Sequence, residues 1–80
     1  MGKKKKIQDA NLQEETFRNY IIENCNLQEC TLEDCEINEC NLQECTLIKC
    51  NVKKSNLQEC KSDRDTTFDH CNIQEIKPLT

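Results

Sequence analysis

Glycine is nearly missing from this 80-residue chain, with Gly2 the only one. A phosphate-cradling loop needs several glycines in one short segment, so nucleotide binding of that kind is excluded. The single histidine, His70, rules out an HExxH zinc protease motif, and no serine triad is evident. There is no tryptophan, and Pro78 is the only proline. No apolar stretch approaches the ~20 residues of a membrane helix, and no membrane association is expected. The basic start is not followed by the apolar run that a secretory signal requires. Gly2 invites myristoylation, but Lys6 stands where that motif calls for Ser or Thr.

What is present looks at first like a disordered chain. Hydrophobic residues make up 35% and charged residues 32%, a balance that disfavours a compact core. Eight cysteines would suggest a disulfide framework in an exported domain. Without an export signal the expected compartment is the cytoplasm, with reduced thiols. The net charge of −4 is unevenly spread. Lys3 to Lys6 form a basic start, expected to be a disordered tail over residues 1–6. Four lysines are a thin patch for nucleic acid, so no nucleic-acid partner is expected. Ten acidic residues and only Arg18 among the basic ones follow between Ile7 and Ile48.

The order of the residues argues against disorder. From Cys25 to Cys60 a Cys or Ser recurs every five residues, and an aliphatic residue follows two positions later. Cys25, Cys30, Cys35, Cys40, Cys45, Cys50 and Cys60 are the small members, with Ser55 in the same frame. Leu27, Leu32, Ile37, Leu42, Leu47, Val52 and Leu57 are the aliphatic ones. Both sets are expected to form the core. Steps of two and three alternate, which matches neither a helical stripe nor a two-residue strand period. They fit a chain that runs straight, turns a corner and repeats, winding into stacked coils. A second period overlays the first: Asn-Leu-Gln-Glu recurs at Asn11, Asn26, Asn41 and Asn56, and Asn-Ile-Gln-Glu follows at Asn72. That recurrence suggests a triangular coil of three repeats, fifteen residues per turn.

Cys25-Asn26-Leu27-Gln28-Glu29 and its successors resemble the pentapeptide-repeat family, whose units read small residue, Asn or Asp, Leu or Phe, then two variable positions. The resemblance implies an all-β, right-handed quadrilateral β-helix of about three and a half coils over residues 7–80. Four repeats per coil would stack Cys25 on Cys45, Cys30 on Cys50, Cys35 on Ser55 and Cys40 on Cys60. It would also set Glu29 over Lys49, Glu33 over Lys53, Asp34 over Lys54 and Glu39 over Glu59, and place Thr31 and Thr46 on different sides. That separation argues against a flat, ice-binding threonine face.

The frame has irregular ends. Lys5, Glu15 and Tyr20 occupy small-residue slots, marking an imperfect opening coil that could cap the stack. Residues 61–65 break the frame and are expected to form a surface bulge, after which Thr66 and Cys71 resume it. Pro78 marks the end of the last coil.

Chemistry is weighed against packing. The continuous five-residue cysteine spacing is unlike paired zinc ligands, and Ser55 and Ala10 share the slot, so neither a metal nor another cofactor is expected. His70 and Cys71 should point to opposite sides and leave no catalytic pair. The chain thus reads as a non-enzymatic structural or protein-binding solenoid whose partner surface would include Glu29, Asp34, Glu39, Glu44, Asp63, Arg64 and Asp65. Self-association through the coil ends is compatible with this. The alternative, which the resemblance suggests, is an acidic mimic of duplex DNA that binds DNA gyrase or another DNA-binding protein.

Overall fold

The computed structural model describes residues 4–79, so the start at residues 1–3 lies outside the described residues. Among the described residues, fifteen short strands and no helix wind into five coils, within a body of 31 × 24 × 24 Å. Each coil has three sides. One parallel sheet holds β1 (Lys5–Gln8), β4 (Tyr20–Glu23), β7 (Glu36–Asn38), β10 (Asn51–Lys53) and β13 (Thr67–Asp69). A second holds β2 (Asn11–Gln13), β5 (Asn26–Gln28), β8 (Asn41–Gln43), β11 (Asn56–Gln58) and β14 (Asn72–Ile73). The third holds β3 (Thr16–Arg18), β6 (Thr31–Glu33), β9 (Thr46–Ile48), β12 (Cys60–Ser62) and β15 (Ile76–Pro78).

The all-β solenoid is as the repeat pattern implied, but the coil is three-sided, not quadrilateral. Leu27 pairs with Leu12 and Leu42, and Leu32 pairs with Leu47, fifteen residues apart. Five coils therefore replace three and a half. Fifteen and twenty residues both return Cys and Leu to the interior, so the core does not distinguish them. The outside does. At fifteen residues Asn26 donates to Asn11 at 2.8 Å, Asn41 to Asn26 at 2.9 Å, and Asn56 to Asn41 at 2.9 Å, and Arg18 meets Glu33 at 3.0 Å. At twenty, Asn26 would face Thr46 and the amide ladder would be lost.

The inward residues form one core. All fourteen Cys and aliphatic positions from Cys25 to Cys60 are at most 2% exposed, with Ile22 and Phe17 beside them. Their columns are Ile7-Ile22-Ile37-Val52-Phe68, Leu12-Leu27-Leu42-Leu57-Ile73 and Phe17-Leu32-Leu47-Ser62-Pro78. Burying each Leu contributes roughly 1.5–3 kcal/mol. The corners are turned by residues with φ of 50–63°, from Asp9 to His70, none of them glycine. Left-handed backbone is unfavourable for Glu and Lys. It is held here by ladder bonds that pass through the corner, such as Glu29 N–H to the Gln43 carbonyl and Glu44 N–H to Gln58, both 2.9 Å.

The boundaries of the frame differ from expectation at two places. The first strand begins at Lys5, so Lys5 and Lys6 belong to the solenoid, paired with Tyr20 and Ile21. Lys61 and Ser62 remain in β12, paired with Thr46 and Leu47, so the bulge narrows to residues 63–65. Beyond it the offset becomes sixteen, as in Asn51 with Thr67. The Asp63 carboxylate accepts from the Lys49 N–H at 3.1 Å and from the Thr66 hydroxyl at 2.7 Å, which pins the turn.

Candidate functional site

The interior offers little for catalysis. Every cysteine is a free thiol, and the small-residue columns are Cys25-Cys40-Ser55-Cys71, Cys30-Cys45-Cys60 and Cys35-Cys50-Thr66, in place of the expected Cys25-Cys45, Cys30-Cys50, Cys35-Ser55 and Cys40-Cys60. The slot is not simply apolar. Each buried thiol donates to carbonyls, for example Cys50 to Ile48 at 3.2 Å and to Leu32 at 3.3 Å. Ser55 fits the same place, donating to the Lys53 carbonyl at 2.8 Å and accepting from the Cys40 N–H at 3.1 Å. Thr66 accepts likewise from the Cys50 N–H. From Cys25 to Cys71 these columns hold small side chains that hydrogen-bond, Cys, Ser and Thr, while Ala10 fills the slot in the opening coil without such a bond.

Burial pushes the Cys40 thiol up to about 11. Cys50 and Cys45 are raised further, by hydrogen bonds to Cys35 and Cys60 and then by burial. Their partners Cys35 and Cys60 are lowered by the same hydrogen bonds to about 7, but each of these thiols is about 1% exposed, so the side chains are shielded from an incoming substrate. His70 is outside, 80% exposed and 2.7 Å from the Asp69 carboxylate, while Cys71 donates to the Val52 carbonyl. Among the described residues no three His, Cys, Asp or Glu side chains are grouped as metal ligands. Among the same residues no helix is long and apolar enough to cross a membrane.

The outer surface carries the order. The sheet of β2, β5, β8, β11 and β14 repeats Asn-Leu-Gln or Asn-Ile-Gln in every coil, with Glu at the next corner. Asn72 completes the ladder by donating to Asn56 at 3.1 Å. The register stacks Glu14, Glu29, Glu44, Glu59 and Glu75 along one edge, about one carboxylate per 4.8 Å. A shallow groove of about 610 Å³ runs along the amide face, lined by the Asn and Gln columns. A second groove lies between the glutamate edge and the Thr31-Thr46 column, with Lys61 and Lys77 at one end. Glu75 is 3.6 Å from Lys77.

The residues expected to form one partner surface are thereby divided. Glu29 and Glu44 share the glutamate edge. Asp34 sits at a different corner between Asn19 and Lys49, and Glu39 at the third between Asn24 and Lys54. Asp63, Arg64 and Asp65 lie together at the narrowed bulge. None of the expected cross-coil pairs, Glu29 with Lys49, Glu33 with Lys53, Asp34 with Lys54 or Glu39 with Glu59, has its register. Thr16, Thr31 and Thr46 do stack, contrary to the twenty-residue expectation, though Lys61 ends the column after three. Glu14, Glu59 and Glu75 and the amide columns were missed as a surface, although the fifteen-residue recurrence of Asn-Leu-Gln-Glu carried the signal.

The family model for pentapeptide repeats matches residues 25–61, with eight copies. Residues 25–61 are pentapeptide repeats. Among solved structures, the solenoid is similar to QnrB1, a plasmid-mediated fluoroquinolone resistance protein, in a trypsin-treated form, with a TM-score of 0.52 at 17% identity. That match covers 89% of this chain and 46% of QnrB1, so the chain spans about half of that protein's length. A pentapeptide-repeat protein, Rfr23, from the cyanobacterium Cyanothece 51142 matches with a TM-score of 0.36 and 12% identity, over 92% of this chain and 84% of its own. No curated protein matches the sequence at a significant level. The likeness to QnrB1 is one of fold alone.

Proposed function

We propose that this pentapeptide-repeat solenoid is a non-enzymatic, cytoplasmic protein-binding module whose contact surface is the amide face together with its glutamate edge. One observation carries the reading: the outward residues of this face repeat through all five coils, whereas those of the other two faces do not. The fold requires only the inward residues to repeat. Stacked like charges on neighbouring strands are destabilising, so the glutamate column is not explained by folding and favours a cationic partner surface. The free, buried thiols suit a reducing compartment.

Mimicry of duplex DNA receives less support from the same geometry. DNA carries one charge per ~1.7 Å of its axis, whereas the glutamate edge carries one per ~4.8 Å. The other two corners mix signs, with Lys49 beside Asp34 and Lys54 beside Glu39.

The test compares three baits in a pull-down from native cytosol: the unaltered chain, Glu29→Gln/Glu44→Gln/Glu59→Gln, and a control of equal charge change, Asp34→Asn/Glu36→Gln/Glu39→Gln. The expected result is a stoichiometric partner retained by the first and third and lost by the second. Equal capture by all three overturns the assignment of the face. If the unaltered chain captures nothing but inhibits or protects DNA gyrase in a supercoiling assay, the mimic replaces the protein-binding reading.

A further inference from the structure

Each end of the described solenoid is made of strands with one free edge. Strands β1, β2 and β3 pair only with the second coil, and β13, β14 and β15 only with the fourth. Unpaired strand edges are templates for further pairing, and solenoids ordinarily need polar capping units to prevent it. The apolar columns also emerge there. Ile73 is 45% exposed, and Phe68 and Cys71 are only partly buried at one end, as are Ile7, Ala10 and Leu12 at the other.

Continuing the coil register by one step brings these two ends into correspondence. Ile7 of a second copy falls on Phe68, Ala10 on Cys71 and Leu12 on Ile73. Outside, Asn11 falls on Asn72, which adds a rung to the amide ladder in the spacing seen between Asn56 and Asn72. Asp9 falls on His70, whose imidazole is 80% exposed. Two inward corners oppose the match, where Glu15 meets Ile76 and Lys5 meets Thr66, and outside Glu14 meets Glu75; Glu15 and Lys5 are both exposed and have room to turn outward.

We infer that the first coil of one copy docks head to tail on the fifth coil of another, so that all three sheets run through the contact. The large residues in the small slots of the opening coil do not cap it. The contact is heterologous and leaves one free end of each kind, so association is open and lengthens with concentration. It is independent of the partner face, which it extends.

The test is sedimentation equilibrium of the 80-residue chain across two decades of concentration, with two end-blocking variants, Leu12→Lys and Ile73→Lys. The unaltered chain should grow past twice its 9.4 kDa mass. Each variant alone should stay monomeric, and their equimolar mixture should give a dimer and nothing larger, because one free end of each kind remains. A monomer at every concentration overturns the inference. So does dimerisation of Leu12→Lys by itself, which would mean that two fifth coils meet. As a check that does not disturb the core, Asp9→Lys should weaken association several-fold and Asp9→Lys/His70→Glu should restore it. Failure of the second change to restore it overturns the register.

Discussion

The amide face and the threonine-bearing face of the same solenoid are built on nearly the same interior. Leu27, Leu42 and Leu57 stack behind one, Leu32 and Leu47 behind the other, all at most 2% exposed. Their exteriors diverge. The first presents Asn and Gln in every coil, while the second changes from Thr16 and Arg18, through Thr46 and Ile48, to Lys61 and Asp63. A repeat fold of this kind fixes what points inward and leaves the outside free, so outward regularity is information the fold did not demand.

The largest effect should come from crossing the boundary between inside and outside. Leu42→Arg removes a buried side chain and places an unpaired charge in the third coil, a loss above about 5 kcal/mol by the usual size of such terms. Domains of this size have ~5–15 kcal/mol in all, so the middle coils should open, seen as loss of the β-type far-UV signal. Gln43→Arg, one residue later and facing solvent, should change stability by less than ~0.5 kcal/mol. Equal behaviour of the two variants would reverse the inside and the outside.

A smaller effect separates the two faces. Asn41 donates to Asn26 and accepts from Asn56, both at 2.9 Å. Asn41→Ala should cost about 1 kcal/mol, because two exposed hydrogen bonds revert to water. Thr31→Ala, the matching outward position on the threonine face, lacks such a ladder and should cost a few tenths by comparison. Urea midpoints at constant slope measure both.

How far this division was legible follows from which residues repeat at which period. The inward frame was visible because Cys and Leu recur every five residues, and the structure buries those positions. The number of sides was hidden, since any multiple of five satisfies the interior. Only outward side chains discriminate, and Asn-Leu-Gln-Glu at Asn11, Asn26, Asn41 and Asn56 favoured fifteen from the start. The resemblance implies four sides, and the outward recurrence overrules it. A three-sided coil also divides the surface residues: Glu29, Asp34, Glu39 and Glu44 are successive corners along the chain, yet only the first and last share an edge. The left-handed corners were not legible, because twelve of them are made by Asp, Glu, Asn, Lys and His. Ladder bonds impose that backbone where residue preference does not.

The bulge sharpens the comparison through pH. Asp63 lies on the threonine-bearing side, and the Thr66 hydroxyl, aided by the Lys49 N–H, holds its carboxyl below the usual 3.8. A lowered carboxyl stabilises the fold above its unfolded value and loses that contribution as pH falls through its folded value. Asp63→Ala should therefore be less stable than the unaltered chain at neutral pH, and the two should converge in acid below 3.8. A gap that persists at low pH would assign the effect to the turn's shape instead of its charge.

The smallest effect tests whether the glutamate edge is a strain on the fold. Glu44 lies between Glu29 and Glu59 in a column with about 4.8 Å between strands. Glu44→Gln keeps the side chain's length and the left-handed corner, with φ of 53°, and removes only the charge. Relief of two like-charge contacts should raise stability by a few tenths of a kcal/mol. The gain should fade in high salt, where exposed charges are screened beyond ~3 Å at 1 M. Glu36→Gln, outward on another face beside Asn51 and Ile21, provides the comparison and should show no such salt-dependent gain. If Glu44→Gln is neutral or destabilising at low salt, the carboxylates relax apart without penalty. The regularity of that edge would then be inherited from the repeating unit, and the reason to look there for a cationic partner would be gone.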